Sequence, residues 1–132
     1  MKELRARVDS DSRKVVLSTY VKRFDAVFES MLSSLFREAF PFDRPCGWVM
    51  WTLGNGGFYL SPILPSGCLI MSKTGHCFTP DAAGIVACLR LFRRLSEHTE
   101  GYDRVMFDEF HAALMAWSRQ HNEAYAIERF IA

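Results

Sequence analysis

His76 and Cys77 are adjacent, and Cys68 lies a short way before them. An imidazole beside a thiol is the raw material of a thiolate nucleophile or of a zinc site. The short Cys-x-x-Cys knuckle of structural zinc sites is absent. A small enzyme working through His76 and Cys77 is one reading of this pair, and a plain loop is the other. The remaining histidines, His98, His111 and His121, form no Ser/His/Asp or Cys/His pattern by spacing, and such triads are spatial in any case. Asp103, Asp108 and Glu109 crowd one segment, with Glu97 and Glu100 before it; such runs are ordinarily a solvated face. Gly54-Asn55-Gly56-Gly57 invites a phosphate-loop reading, but that loop needs a following helix and a terminal Lys-Ser/Thr. Arg90, Arg93 and Arg94 are the densest basic cluster. Their spacing puts them on one side of a helix, where they could meet nucleic acid or an acidic protein surface, or simply be solvated.

The charge sum sets these candidates in proportion. Sixteen Lys and Arg against fifteen Asp and Glu leave +1 in 132 residues. There is no basic excess to grip phosphates, and no acidic excess to imitate DNA. The length suits a single domain spanning residues 1–132, and such a chain buries roughly two thirds of its unfolded surface. From residue 45 to residue 80 the only charged side chain is Lys73. Glycines and prolines break that run into pieces too short for a membrane helix. No apolar stretch follows the first residues, so no signal peptide is visible and a cytoplasmic protein is expected. The four cysteines, Cys46, Cys68, Cys77 and Cys88, are expected as reduced thiols without metal.

The elements that would position these residues follow from periodicity. Residues 1–11 are polar and expected to be loose. Ser12 to Thr19 suits a short helix, although Val15, Val16 and Leu17 could equally extend. Phe24, Val27, Phe28, Met31, Leu35 and Ala39 make one helical stripe, which Pro41 stops. Trp48–Leu53 and Phe58–Ser61 read as strands joined at Asn55-Gly56 by a type I′ hairpin turn, with Pro62 and Pro65 ending the second and Ser66-Gly67 turning the chain again. Cys68–Ser72 reads as a third strand, and His76–Phe78 as a short extended piece. Thr79 caps a helix with Pro80 at its first position and Asp81 in its first turn. Ile85, Cys88, Leu89, Phe92 and Leu95 supply its buried face. A further helix carries Tyr102, Val105, Met106, Phe110, Leu114 and Trp117, and a last one runs from Glu123 to Ile131. The fold class is therefore α+β: a small antiparallel sheet of about three strands packed against several helices.

Two stretches resemble a known family. Trp51-Thr52-Leu53-Gly54-Asn55-Gly56-Gly57-Phe58-Tyr59-Leu60-Ser61-Pro62 is similar to the T-L-x-N-G-G-F-Y segment of ArdB/KlcA-type antirestriction proteins, and Asp81-Ala82-Ala83-Gly84-Ile85-Val86-Ala87 to that family's D-A-A-G-I-V-A helix start. The tail, His121 to Ile131, is similar to its C-terminal helix, so the resemblance runs from about residue 24 to residue 132. It implies a protein of mobile DNA that blocks type I restriction while sparing methylation, with no catalytic residue or cofactor. The implied partner is a type I restriction–modification enzyme or its host pathway, met directly or indirectly. No strong DNA binding and no membrane contact are expected.

Without an active site, function falls to a contact face. Asn55, Tyr59 and Asp81 are candidates because they flank the hairpin and the helix start, with Arg90, Arg93 and Arg94 as the next surface. The competing reading gives each a structural job: Asn55 the turn, Asp81 the helix cap, Tyr59 the core. If the three are contact residues, Asn55→Asp, Tyr59→Phe and Asp81→Asn each leave melting nearly unchanged.

Overall fold

A computed structural model of the chain describes residues 4–64 and 69–131. Three antiparallel strands form the main sheet: β1 (Arg5–Arg7), β2 (Gly47–Leu53) and β3 (Phe58–Ile63), in the order β1-β2-β3. A separate pair, β4 (Ile70–Met71) and β5 (Cys77–Phe78), is also antiparallel. The helices are α1 (Arg13–Val21), α2 (Asp25–Ala39), α3 (Pro80–Glu97), α4 (Gly101–Ser118) and α5 (Ala124–Ile131). The α+β architecture matches the sequence expectation. Its third strand does not, because the segment at 70–71 pairs with β5 and not with the hairpin. The expected turn at Ser66-Gly67, the end at Pro65 and the start of the strand at Cys68 lie outside the described residues.

The third place in the main sheet is taken by Arg5–Arg7 of the segment expected to be loose, residues 1–3 of which lie outside the described residues. Leu4-Arg5-Ala6-Arg7-Val8 alternates apolar and basic residues, and β2 has a second edge to fill. Arg5, Ala6 and Arg7 stand opposite Leu53, Thr52 and Trp51. The ladder continues at both ends, from Val8 N–H to Met50 O at 2.9 Å and from Gly54 N–H to Leu4 O at 2.8 Å. Long cationic side chains suit an edge strand, where they discourage further pairing.

The hairpin forms where the sequence places it, but with different chemistry. Leu53 N–H bonds Gly57 O and Gly56 N–H bonds Leu53 O, leaving a three-residue loop of Gly54, Asn55 and Gly56. Only Gly56 has positive φ, at 89°, so this is a turn followed by a left-handed glycine and not a type I′ pair. The strand after it runs through Pro62 to Ile63. Leu60 N–H points away from β2, to Cys88 Sγ at 3.3 Å. Pro62, two residues on, shares that direction, so its missing N–H costs no ladder bond.

Helix α3 is the centre of the molecule. Ala82 through Leu89 are all buried, as are Leu91, Phe92 and Leu95. The small residues at its start have a cause. A Cβ on Gly84 would lie 2.4 Å from Leu60 O and 2.6 Å from Ser61 Cα. Only glycine lets the helix lie directly on the β3 backbone. One turn further on, Cys88 is fully buried, and burial pushes its thiol up to about 12.

Two helical stripes differ from expectation. On α2 the buried residues are Phe28, Leu32, Leu35, Phe36 and Ala39, while Val27 is exposed. On α4 they are Met106, Phe107, Leu114, Trp117 and Ser118, while Tyr102 and Val105 face solvent. In both, the stripe is rotated by about one residue, the usual ambiguity of a 3.6 period read without its partner.

Two substitutions separate close packing from backbone conformation. Gly84→Ala should cost about 2 kcal/mol or more, because backbone atoms cannot move aside as a side chain can. Gly56→Val meets no atom within 4 Å and should still cost more than about 1 kcal/mol, through φ alone. Urea denaturation of both variants checks this; unchanged midpoints would refute the two assignments.

Candidate functional site

The N-terminus of α3 is held in a polar clasp. Thr79 is the N-cap, its side chain accepting Ala82 N–H at 3.3 Å. Glu123 accepts Thr79 N–H at 3.0 Å through Oε1 and the Thr79 hydroxyl through Oε2. Asp81 has a different task from capping. Its Oδ1 accepts the Tyr59 hydroxyl at 2.8 Å, and its Oδ2 accepts His121 Nε2–H at 2.8 Å. Arg5 Nη1 stands 3.0 Å from both carboxylate oxygens and also donates to the Tyr59 hydroxyl. The Arg5 guanidinium lies 4.0 Å over the Trp51 ring and 5.7 Å from Trp117. β1, β3, α3 and the α4–α5 turn thus meet at one carboxylate, with Trp51 of β2 and Trp117 of α4 packed around Arg5.

Electrostatics follow from this crowding. Burial alone would raise the Asp81 carboxyl; hydrogen bonds from His121 and Tyr59 and the Arg5 charge outweigh it, so Asp81 titrates below the usual range. Burial, then the Asp81 carboxylate, pushes the Tyr59 phenol far up. On His121, Nδ1 accepts Glu123 N–H at 3.0 Å. That bond fixes the proton of the neutral ring on Nε2, facing Asp81. With both ring nitrogens engaged, His121 has none left to move a substrate proton.

The six sequence candidates divide accordingly. Tyr59 is 0% exposed and cannot belong to a contact face. Asp81 is half-buried in the clasp. Asn55 is exposed, but its Oδ1 accepts Gly57 N–H at 3.1 Å and its Nδ2 donates to Ala113 O at 2.9 Å, tying the hairpin to α4. The arginines turn to separate partners: Arg90 over the Phe130 ring at 4.5 Å, Arg93 to Glu97 at 3.4 Å, Arg94 to Glu38 at 3.7 Å. His76 Nδ1 lies 2.8 Å from Thr74 Oγ1, while Cys77 is an exposed free thiol. Sequence reasoning missed Arg5 and His121. The alternation around Arg5 was the available signal; His121 beside Glu123 offered none by spacing. Among the described residues, no three His, Cys, Asp or Glu side chains stand together to hold a metal ion, and no helix is long and apolar enough to cross a membrane.

A family model described as "Antirestriction protein" matches residues 44–132. An antirestriction protein KlcA of Escherichia coli is 37% identical over 117 residues, covering 77% of this chain and 79% of its own. A second E. coli KlcA is 38% identical over 90 residues, covering 64% of this chain and 62% of its own. A solved structure superposes with a TM-score of 0.86 at 26% identity, covering all of this chain and 96% of the other. It comes from work on KlcA and ArdB reporting "a novel fold and antirestriction activity against Type I DNA restriction systems in vivo but not in vitro".

The clasp makes a prediction about acid. The lowered pKa of Asp81 means its stabilisation is complete above the unfolded value, near 3.8, and is lost as pH falls through the folded value. Asp81→Asn should cost about 2 kcal/mol at pH 7, a figure discounted because Arg5 is a third exposed. The difference from wild type should shrink below pH 4 in urea titrations run across pH. A difference constant from pH 7 to pH 3 would show that the carboxylate charge does not hold the clasp.

Proposed function

This chain belongs to the antirestriction protein family, and on that premise we propose that it protects incoming DNA from type I restriction–modification enzymes inside the cell. The observation that carries the proposal is the joint match: family model, relatives and fold agree, with the fold covering the whole chain. The two motifs are also one physical unit, since Gly84 of the helix motif lies on Leu60 and Ser61 of the strand motif.

The route is not DNA mimicry. Imitating a duplex needs a dense field of carboxylates, and the net charge of +1 supplies none. Nor do we read it as catalytic, the His76–Cys77 pair included, since His76 Nδ1 is engaged by Thr74 Oγ1 at 2.8 Å. Both nitrogens of His121 are committed, and Cys88 is buried with its pKa raised. The protein therefore acts by contact, blocking cleavage and leaving methylation in place. The in vivo but not in vitro activity reported for the solved relatives supports a target beyond the restriction enzyme alone, a host component of the cytoplasm. The nucleic-acid reading is weaker, because Arg93 and Arg94 each sit against a carboxylate.

Expression in cells carrying a type I system should raise the plating efficiency of unmodified phage by tenfold or more. The progeny should remain methylated at the same sites. Unchanged plating against several type I families would overturn the proposal; equal loss of cleavage and methylation would overturn its selective form.

A further inference from the structure

A second site lies away from the clasp, between the end of α2, the β4–β5 turn, α3 and α5. A cleft of about 300 Å³ is lined there by Lys73, His76, Arg90 and Arg129, together with Thr74 and Phe130. Its one carboxylate, Glu38, is already against Arg94 at 3.7 Å. None of the ion pairs among the described residues involves Lys73, Arg90 or Arg129. On a protein of net charge +1, three cations line one cleft whose single carboxylate, Glu38, is shared with Arg94. We propose that this cleft binds a phosphate group, free or carried as a monoester on a small molecule.

The donors are preset for that task. Phe130 holds the Arg90 guanidinium at 4.5 Å from its ring centre, which fixes a planar fork suited to phosphate oxygens. Burial lowers the pKa of Arg90, with Glu38 opposing and Arg94 adding to the fall, so an anion in the cleft would relieve a desolvated cation. Arg129 Nη1 is steered by the Tyr125 hydroxyl at 2.9 Å. The histidine is oriented by a chain of bonds. His76 N–H donates to Ser72 Oγ at 3.0 Å, Ser72 Oγ lies 3.0 Å from Thr74 Oγ1, and Thr74 Oγ1 lies 2.8 Å from His76 Nδ1. In the tautomer where the Thr74 hydroxyl donates to Nδ1, Nε2 carries the proton. A volume at the low end of ligand pockets suits one phosphate head group and not a duplex. The site is independent of the antirestriction reading and stands or falls on binding alone.

The test is a titration of the full chain, followed by amide NMR shifts, with inorganic phosphate and with adenosine monophosphate as probes. Saturable shifts should centre on residues 73–76, Arg90 and Arg129. Lys73→Gln and Arg129→Gln alter exposed side chains, so melting should hold while affinity falls tenfold or more; Arg93→Gln, outside the cleft, should change neither. Tighter binding of the monoester identifies an esterified ligand, and tighter binding of inorganic phosphate a free one; both support the site. Failure of both probes to saturate, binding undiminished in the two variants, or a response to duplex DNA alone would overturn it.

Discussion

The close approach of α3 to β3 at Gly84 is the constraint from which the rest of the architecture follows. With no Cβ in the way, the helix rests on the strand's backbone at Leu60 and Ser61. That distance lets Cys88 Sγ take the Leu60 N–H that faces away from the sheet. It also sets the first turn of α3 beside Tyr59, so that Asp81 reaches a phenol fixed in the core. The apolar side of the same contact joins α2 and α4 to the sheet through Phe28, Phe58, Phe92 and Phe110, whose rings meet at 5.1–6.1 Å.

The clasp around Asp81 then decides how the chain's two ends are placed. Arg5 comes from the first strand and His121 from the turn before the last helix, and the same carboxylate holds both. A half-buried carboxylate with three partners is costly to leave unpaired and strongly held when paired. Its histidine is satisfied on both sides, so the arrangement fixes geometry and leaves no group free for acid–base chemistry.

Much of this was legible in the sequence. The Thr79-Pro80-Asp81 helix start, the hairpin at Asn55-Gly56 and the burial of Cys88 are local or periodic signals, and the structure bears them out. The family motifs were readable as well. What escaped reading depends on contacts between distant positions. Arg5 meets Asp81 across 76 residues and His121 meets it across 40, and no spacing rule reports such pairs. Residues 1–11 looked loose because polar composition is visible and a vacant sheet edge is not. Tyr59 could be read as an interface residue or as core, and its burial depends on the Asp81 acceptor, which the sequence does not display. Asp81 reads in the sequence as a charge at the helix start or as a contact residue, while its partners are Arg5, Tyr59 and His121.

The central claim is that the clasp supports the working surface and does not itself act on the target. The direct measurement is antirestriction in cells for Tyr59→Phe and His121→Gln, set against the melting of each purified variant. The account predicts that plating efficiency follows the folded fraction, with full protection wherever the variant is folded at the assay temperature. Loss of protection in a variant whose melting is unchanged would contradict it and make the clasp the acting site.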